Sequence, residues 1–338
     1  MNIQDRRGMR NRAAAALSGA SFHPGKLALI HTAAAAALSL VLTIINVILT
    51  DRIGETGGLG GVGMRSILTT AKSVLGILST VILPFWELGF IYAALKFSRG
   101  QRVELPDLLQ GFRRFGPVLR LKLAEAVIYV ILFMLSANIG SAIFMMTPFA
   151  LPMMEAMQSL DPNTATPEVL MAAVQGSILP LYAVFGVVFG VLAIPVAYRF
   201  RMAQYVIVDT PATGALAALG TSNRLMRNNR MSLFRLDLSF WWYYGLQVLC
   251  TMIAYSDVIA ELMGVSLPVS ATAALFIAFG VYCAVRLVIA WLWASPVETT
   301  YAVAYDVLQE MQKDAEPRLF KNFPWDFLPE RKEEQPPK

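Results

Sequence analysis

Six stretches of the chain are almost continuously apolar: residues 27–50, 71–97, 123–146, 178–198, 240–263 and 271–294. A helix crossing a bilayer needs about 20 predominantly apolar residues. Each stretch is long enough, and the first is too long for a signal-peptide core of about 7–15 residues. The expected fold is therefore all-α: a polytopic membrane bundle of six transmembrane helices. Residues 1–26 form a basic segment before the membrane domain at 27–294, and 295–338 form a polar segment after it, frayed beyond about 317. Five consecutive alanines from Ala33, and Gly186 with Gly190, offer small-residue faces for close helix approach.

The polar stretches carry a second pattern. Leu105, Leu108, Leu109, Phe112, Phe115 and Leu119 recur at helical spacing, with Pro106 suited to a first turn and Arg113 and Arg114 to a last one. The spacing predicts a short amphipathic helix lying at the membrane interface. A second is predicted after the fourth span. There Asp209, Thr210 and Pro211 form a cap and first turn, followed by a stripe of Ala212, Ala215, Leu216, Leu219 and Met226. Met9–Gly19 suits a surface helix, and the glycine-rich link at 51–66 reads as a flexible loop. That link has no G-K-[ST] ending, so it is no phosphate cradle.

Charge fixes an orientation. Of 28 Lys and Arg residues, 24 fall in the N-terminal segment, the second and fourth links and the C-terminal segment. Positive residues concentrate on the cytoplasmic side, so both termini are expected in the cytoplasm and the number of spans is even. Hydrophobic residues make up 56% and charged residues 15%, against about a quarter charged in soluble domains. The net charge of +5 is thereby explained by membrane orientation, and nucleic acid is not an expected partner.

Candidate chemistry is sparse. Cys250 and Cys283 sit in apolar runs as packing residues, and His23 and His31 have no acidic or thiol neighbour at ligand spacing. No metal, cofactor or catalytic set is expected. Asp257 and Glu261 share a helix face near one span end and read as solvated. Glu87 and Arg286 stand out, because they lie well inside the expected second and sixth spans, at similar depth. A lone charge there costs at least about 2.5–3.5 kcal/mol, so they are expected to face the interior and to interact, directly or through water. Arg120-Leu-Lys-Leu123 and Arg235-Leu-Asp-Leu238 each feed an outgoing span, 115 residues apart. Tyr129 and Tyr244 repeat the offset, as a duplicated hairpin or chance would give.

Three groups of residues resemble a known family. They are Y-V-I-V-D-T-P at 205–211, T-S-N-R-L-M-R-N-N at 221–229, and L-F-R-L-D-L-S-F-W-W at 233–242. Supporting pieces are P-F-W-E-L-G-F, L-L-Q-G-F-R-R-F-G and P-V-E-T-T-Y-A-V-A-Y-D-V-L, beginning at Pro84, Leu108 and Pro296. Together they are similar to a bacterial integral membrane family, domain of unknown function nine-seventy-five. The resemblance implies a relation to the membrane domain of some glycerophosphodiester phosphodiesterases, but no activity. Asn228 and Asn229 stand where the family pattern has a glycine after Arg227, and Asn tolerates the same left-handed turn.

The leading expectation is a multi-pass scaffold or accessory protein of the bacterial inner membrane, not an enzyme. Arg113, Arg114, Arg224, Arg227 and Arg230 would contact anionic lipid headgroups or a membrane or cytoplasmic protein, a second copy of the chain included. The alternative is a transporter of a small solute or lipid through the bundle.

Overall fold

In a computed structural model, the residues described are 3, 5–55, 62–159, 167–210, 212–256, 259 and 270–321. Among them every regular element is helical. The elements are α1 (Arg6–Ser18), α2 (Pro24–Glu55), α3 (Val62–Ser98), a 3-10 turn (Leu105–Leu109) running into α4 (Gln110–Arg113), α5 (Phe115–Met145), α6 (Ala150–Ser159) and α7 (Pro167–Phe200). They continue with α8 (Ala203–Asp209), α9 (Ala215–Met226), α10 (Arg230–Leu238), α11 (Trp241–Ala254), α12 (Ala271–Ile289), a π turn (Ala290–Ala294) and α13 (Ser295–Lys321).

Five helical runs are long and apolar enough to cross a membrane: Pro24–Ile53, Met64–Ser98, Phe115–Met145, Gly176–Asp209 and Thr272–Lys313. Their apolar windows are mostly unburied, from 0% to 27%, as lipid-facing helices require. The chain is thus built as a multi-pass membrane protein. The expected span at 240–263 is described as the 14 residues of α11, while 257–258 and 260–269 lie outside the described residues. So do most of the glycine-rich link, Asp257 with Glu261, and Pro211.

Spans pack as neighbours in pairs: α2 with α3, α5 with α7, and α11 with α12. Between α5 and α7, Gly140 closes on the Phe185 backbone, while Gly186 and Gly190 face open space. Thus Gly140, rather than the small pair predicted on α7, lies at a close approach within this chain.

The core gathers at the end where the basic segments lie. Met9 and Ala13 of α1, Phe85 and Leu88 of α3, Met202, Ala203 and Tyr205 to Val208, Leu225 and Met226 of α9, and Tyr301 to Tyr305 with Val307 and Leu308 of α13 form one buried cluster. The expected boundary at 294 therefore falls within a continuous helical run, and the helix beyond it enters the core. Trp291 of the π turn stacks on His23, and the Ser295 hydroxyl donates to the Pro24 carbonyl at 2.7 Å.

Both links contain helical segments, with bounds other than those expected. The segment 105–113 lies on α3, where Gly89 and Gly111 allow backbone to meet backbone. Phe85 stacks on Phe112 and Phe115. The helix expected to open at Asp209 opens at Ala215, with Gly214 as its cap residue, and Asp209 instead ends α8. The Asp209 carboxylate is taken by Arg99, Tyr305 and Gln309, so it is not available to cap a helix. Of the predicted stripe, Ala215, Leu219 and Met226 are buried, whereas Leu216 is 79% exposed. Asn228 takes φ 67°, the left-handed turn expected of it.

Candidate functional site

A cavity of about 770 Å³ lies between the helix pairs, within the size range of small-ligand sites. It is walled by α2, α3, α5, the α7–α8 junction, α11 and the α12–α13 run. Its charged lining is balanced. Lys122, Arg201 and Arg286 face Glu87, Glu125 and Glu298. Hydroxyls and amides accompany them, from Tyr205, Tyr244, Tyr301, Gln204 and Gln247.

The π turn puts two of these charges on one face. Arg286 and Glu298 are twelve positions apart, which on an uninterrupted helix turns them about 120° away from each other. One extra residue accommodated in the π turn rotates the second half back by about 100°. Ala290 and Ala294 lie between them on the same wall and leave room for the cavity.

Some of the charges are satisfied internally. Arg201 sends Nη1 to Asp237 Oδ2 at 3.2 Å and Nη2 to the Tyr244 hydroxyl at 3.1 Å, and it lies 4.7 Å above the Tyr301 ring. Tyr301 donates to Asp237 Oδ1 at 2.5 Å, and Tyr198 donates to the other carboxylate oxygen. Lys122 and Glu125, one turn apart on α5, pair at 3.0 Å. These are complete networks, with each charge matched by another.

Three charges are not matched in this way. Arg286 Nη1 donates to the neutral amide oxygen of Gln247 at 2.7 Å, with the Tyr282 ring 5.7 Å away. Glu298 accepts a hydrogen bond from the Tyr205 hydroxyl at 2.5 Å. Glu87 is exposed to the cavity, without a hydrogen bond or ion pair among the described residues. Glu87 and Arg286 therefore converge on one cavity, but Arg286 turns to Gln247 and no direct bond joins the two. His31, on the same wall, is held between α2 and α3. Its ring stacks on Trp86 and Phe90, and Trp86 Nε1 donates to its carbonyl at 2.9 Å.

A second polar cluster lies just beyond the spans. Arg99 reaches Asp209 at 2.5 Å and Asp306 at 2.7 Å, tying α3 to α8 and α13. The hydrogen bond to Asp209 holds the guanidinium pKa above its ordinary value. Arg114 donates to the carbonyls of Ile207 and Val208, both at 2.9 Å, and so satisfies backbone groups near the end of α8. Arg113, Arg224, Arg227 and Arg230 are exposed. The five arginines expected on one contact surface thus divide into four exposed at the surface and one, Arg114, built into the fold.

Sequence reasoning found Glu87 and Arg286 but not Glu298, Arg201, Asp237 or the tyrosines that join them. Arg201 and Asp237 resembled ordinary basic-link residues. Glu298 stood past the last apolar residue, where a boundary was expected. The run T-T-Y-A-V-A-Y-D-V-L after it keeps tyrosines and apolar residues at helical spacing, a signal of continued burial.

The model of one family, described as protein of unknown function (DUF975), matches residues 3–311. Neither a curated protein nor a solved structure matches the chain.

Proposed function

The chain belongs to the DUF975 family, whose function is unknown, and from that premise we propose that it binds a charged solute or lipid headgroup in the cavity between its helix pairs and carries it through the membrane. One observation supports this best. Glu87 and Arg286 form no ion pair among the described residues at a depth where a lone charge is costly, and Glu298, just beyond that depth, faces the same cavity with a hydrogen bond from the Tyr205 hydroxyl. Glu87 lies eleven residues before Ser98, about 16 Å into its span. Nearby pairs show that this chain neutralises charges where it can, so the three left over await a ligand.

The proposal includes α11 as a sixth span and both termini on the cytoplasmic side of a bacterial inner membrane. In that orientation Lys122 and Arg201, basic-link residues that line the cavity, put it toward the cytoplasmic end of the bundle. It is a proposal of binding and passage, not of catalysis. Mass spectrometry of the purified full-length protein, released gently from detergent, tests it. The wild type should retain a small molecule or lipid that Glu87→Gln and Arg286→Gln lose. Equal retention, or none in all three, would count against the cavity as the binding place.

A second reading has its own support. Arg113, Arg224, Arg227 and Arg230 are exposed alongside Leu109, Phe112, Phe115 and Leu216. Guanidinium groups interleaved with apolar side chains suit an anionic headgroup layer, worth about 1 kcal/mol per basic residue. A scaffold role toward anionic lipid or a protein partner uses this surface and does not compete with the cavity.

A further inference from the structure

We infer that the ligand of the cavity is a zwitterion. It carries a primary ammonium, taken by Glu87 and Glu298, and a phosphate or carboxylate a few bonds away, taken by Arg286. This rests on reading the cavity as a binding site and adds the charge pattern of the molecule that enters it.

The pattern comes from the charges that the fold leaves over. Arg201 is matched by Asp237 and Lys122 by Glu125. Two carboxylates and one guanidinium remain, and they come from three different helices. Glu87 and Glu298 line the same cavity, and Arg201, the cation that Glu298 senses, is held by Asp237. Two carboxylates that face one cavity from different helices together favour a bound cation. An ammonium group brings three donors and no acceptor, which suits two carboxylates at once. On the opposite count, Arg286 gives Nη1 to Gln247, and a guanidinium has five N–H donors in a planar fork. The rest of that fork suits an anion with two parallel oxygens.

Single-sign ligands fit worse. A simple anion would neutralise Arg286 and leave both carboxylates without a bound cation. A simple amine would do the reverse. A quaternary ammonium has no N–H to give to a carboxylate and depends on aromatic faces instead. Here the Tyr205, Tyr244 and Tyr301 hydroxyls are already committed to hydrogen bonds, which fixes those rings in place. Two sources supply the chemistry: the headgroup of an aminophospholipid, or a free amino acid or phosphoamine.

The test is the ligand-induced shift in melting temperature of the full-length protein in detergent. The probes are short-chain phosphatidylethanolamine, phosphoethanolamine, glycine, short-chain phosphatidic acid and ethanolamine. At least one zwitterion should stabilise the protein, with phosphatidic acid and ethanolamine binding roughly tenfold or more weakly, since each loses a charged hydrogen-bond set. Glu87→Gln should erase the preference for phosphatidylethanolamine over phosphatidic acid, and Glu87→Asp should keep it. Arg286→Gln should weaken the zwitterions and spare ethanolamine. Glu298→Gln serves if Glu87→Gln lowers the ligand-free melting temperature, which is read in the same run. A requirement for acyl chains identifies the lipid as source, and binding of phosphoethanolamine or glycine identifies the solute. Phosphatidic acid binding as tightly as phosphatidylethanolamine, and sensitive to Arg286→Gln, would leave the cavity a binding site and overturn the zwitterion. No response to any probe at millimolar concentration would overturn both.

Discussion

An alanine at position 89 would place its Cβ 1.8 Å from the Leu108 carbonyl oxygen and 2.4 Å from the carbonyl carbon. That is about half the 3.5–4.0 Å of a favourable contact. The obstacle is backbone, so no rotamer change relieves it. A Cβ at Gly111 would meet the Phe85 carbonyl oxygen at 2.0 Å, so the segment 105–113 touches α3 at two glycine-mediated points, one on each side of Glu87. Moving that segment outward would disturb Phe85, which is 1% exposed and stacks on Phe112 and Phe115. Overpacking a tight site costs about 1–3 kcal/mol, and two rigid backbones put Gly89→Ala near the upper end. Helix propensity returns about 0.5–1 kcal/mol. The expected net loss is about 2 kcal/mol, read as a lower melting temperature by size-exclusion fluorescence after graded heating. Gly280→Ala, inside α12 where an added Cβ would meet nothing within 4 Å, is the control and should be neutral or slightly stabilising. A Gly89→Ala protein that melts at or above the wild type would refute the backbone contact.

Arg99→Gln should lower the melting temperature by an amount equivalent to about 2 kcal/mol. It leaves Asp209 and Asp306 facing each other, and the loss is less than the 3–5 kcal/mol of a fully buried pair because the Arg99 side chain is 32% exposed. An unchanged melting temperature would deny the clamp. In intact cells, Ser159→Cys should react with an impermeant thiol reagent and Arg227→Cys should not; reversed labelling would overturn the orientation. Ser222 would be a poor site for this test, since it is fully buried with its hydroxyl held between Met202 N–H and the Arg199 carbonyl. Combined Arg113, Arg224, Arg227 and Arg230 to Gln substitutions should weaken association with anionic over neutral lipid in native mass spectrometry, by about 1 kcal/mol per residue. Arg114→Gln should instead lower thermal stability, since its partners are the Ile207 and Val208 carbonyls.

Hydropathy made the spans legible because lipid-facing helices must be apolar throughout, and five of the six expected appear as candidate spans. Glu87 and Arg286 were legible for the same reason, since a charge in such a run has few places to go. Local rules failed where a distant partner outweighed them. Asp209, followed by Thr and Pro, has the sequence of a helix cap. A cap is worth about 1 kcal/mol, whereas an ion pair with Arg99, 110 residues earlier, and hydrogen bonds from Tyr305 and Gln309 hold more. No local pattern contains that competition.

Glu298 shows a different limit. Loss of hydropathy after Ala294 marks where lipid contact ends, not where the helix or the core ends. Past that point the chain exchanges lipid for protein, so Tyr301, Tyr305 and Asp306 can be buried with their polar groups satisfied by other helices. On the binding role proposed for the cavity, the π turn at the boundary matters to the ligand as well as to packing. Were the same residues wound as an uninterrupted α-helix, Arg286 and Glu298 would point about 120° apart, and the cavity would have a cation-binding or an anion-binding group on this wall but not both. A register device placed between the two charges thus binds the helix that crosses the membrane to the helix that closes the core. It makes one wall carry both signs, which is the arrangement a zwitterion needs.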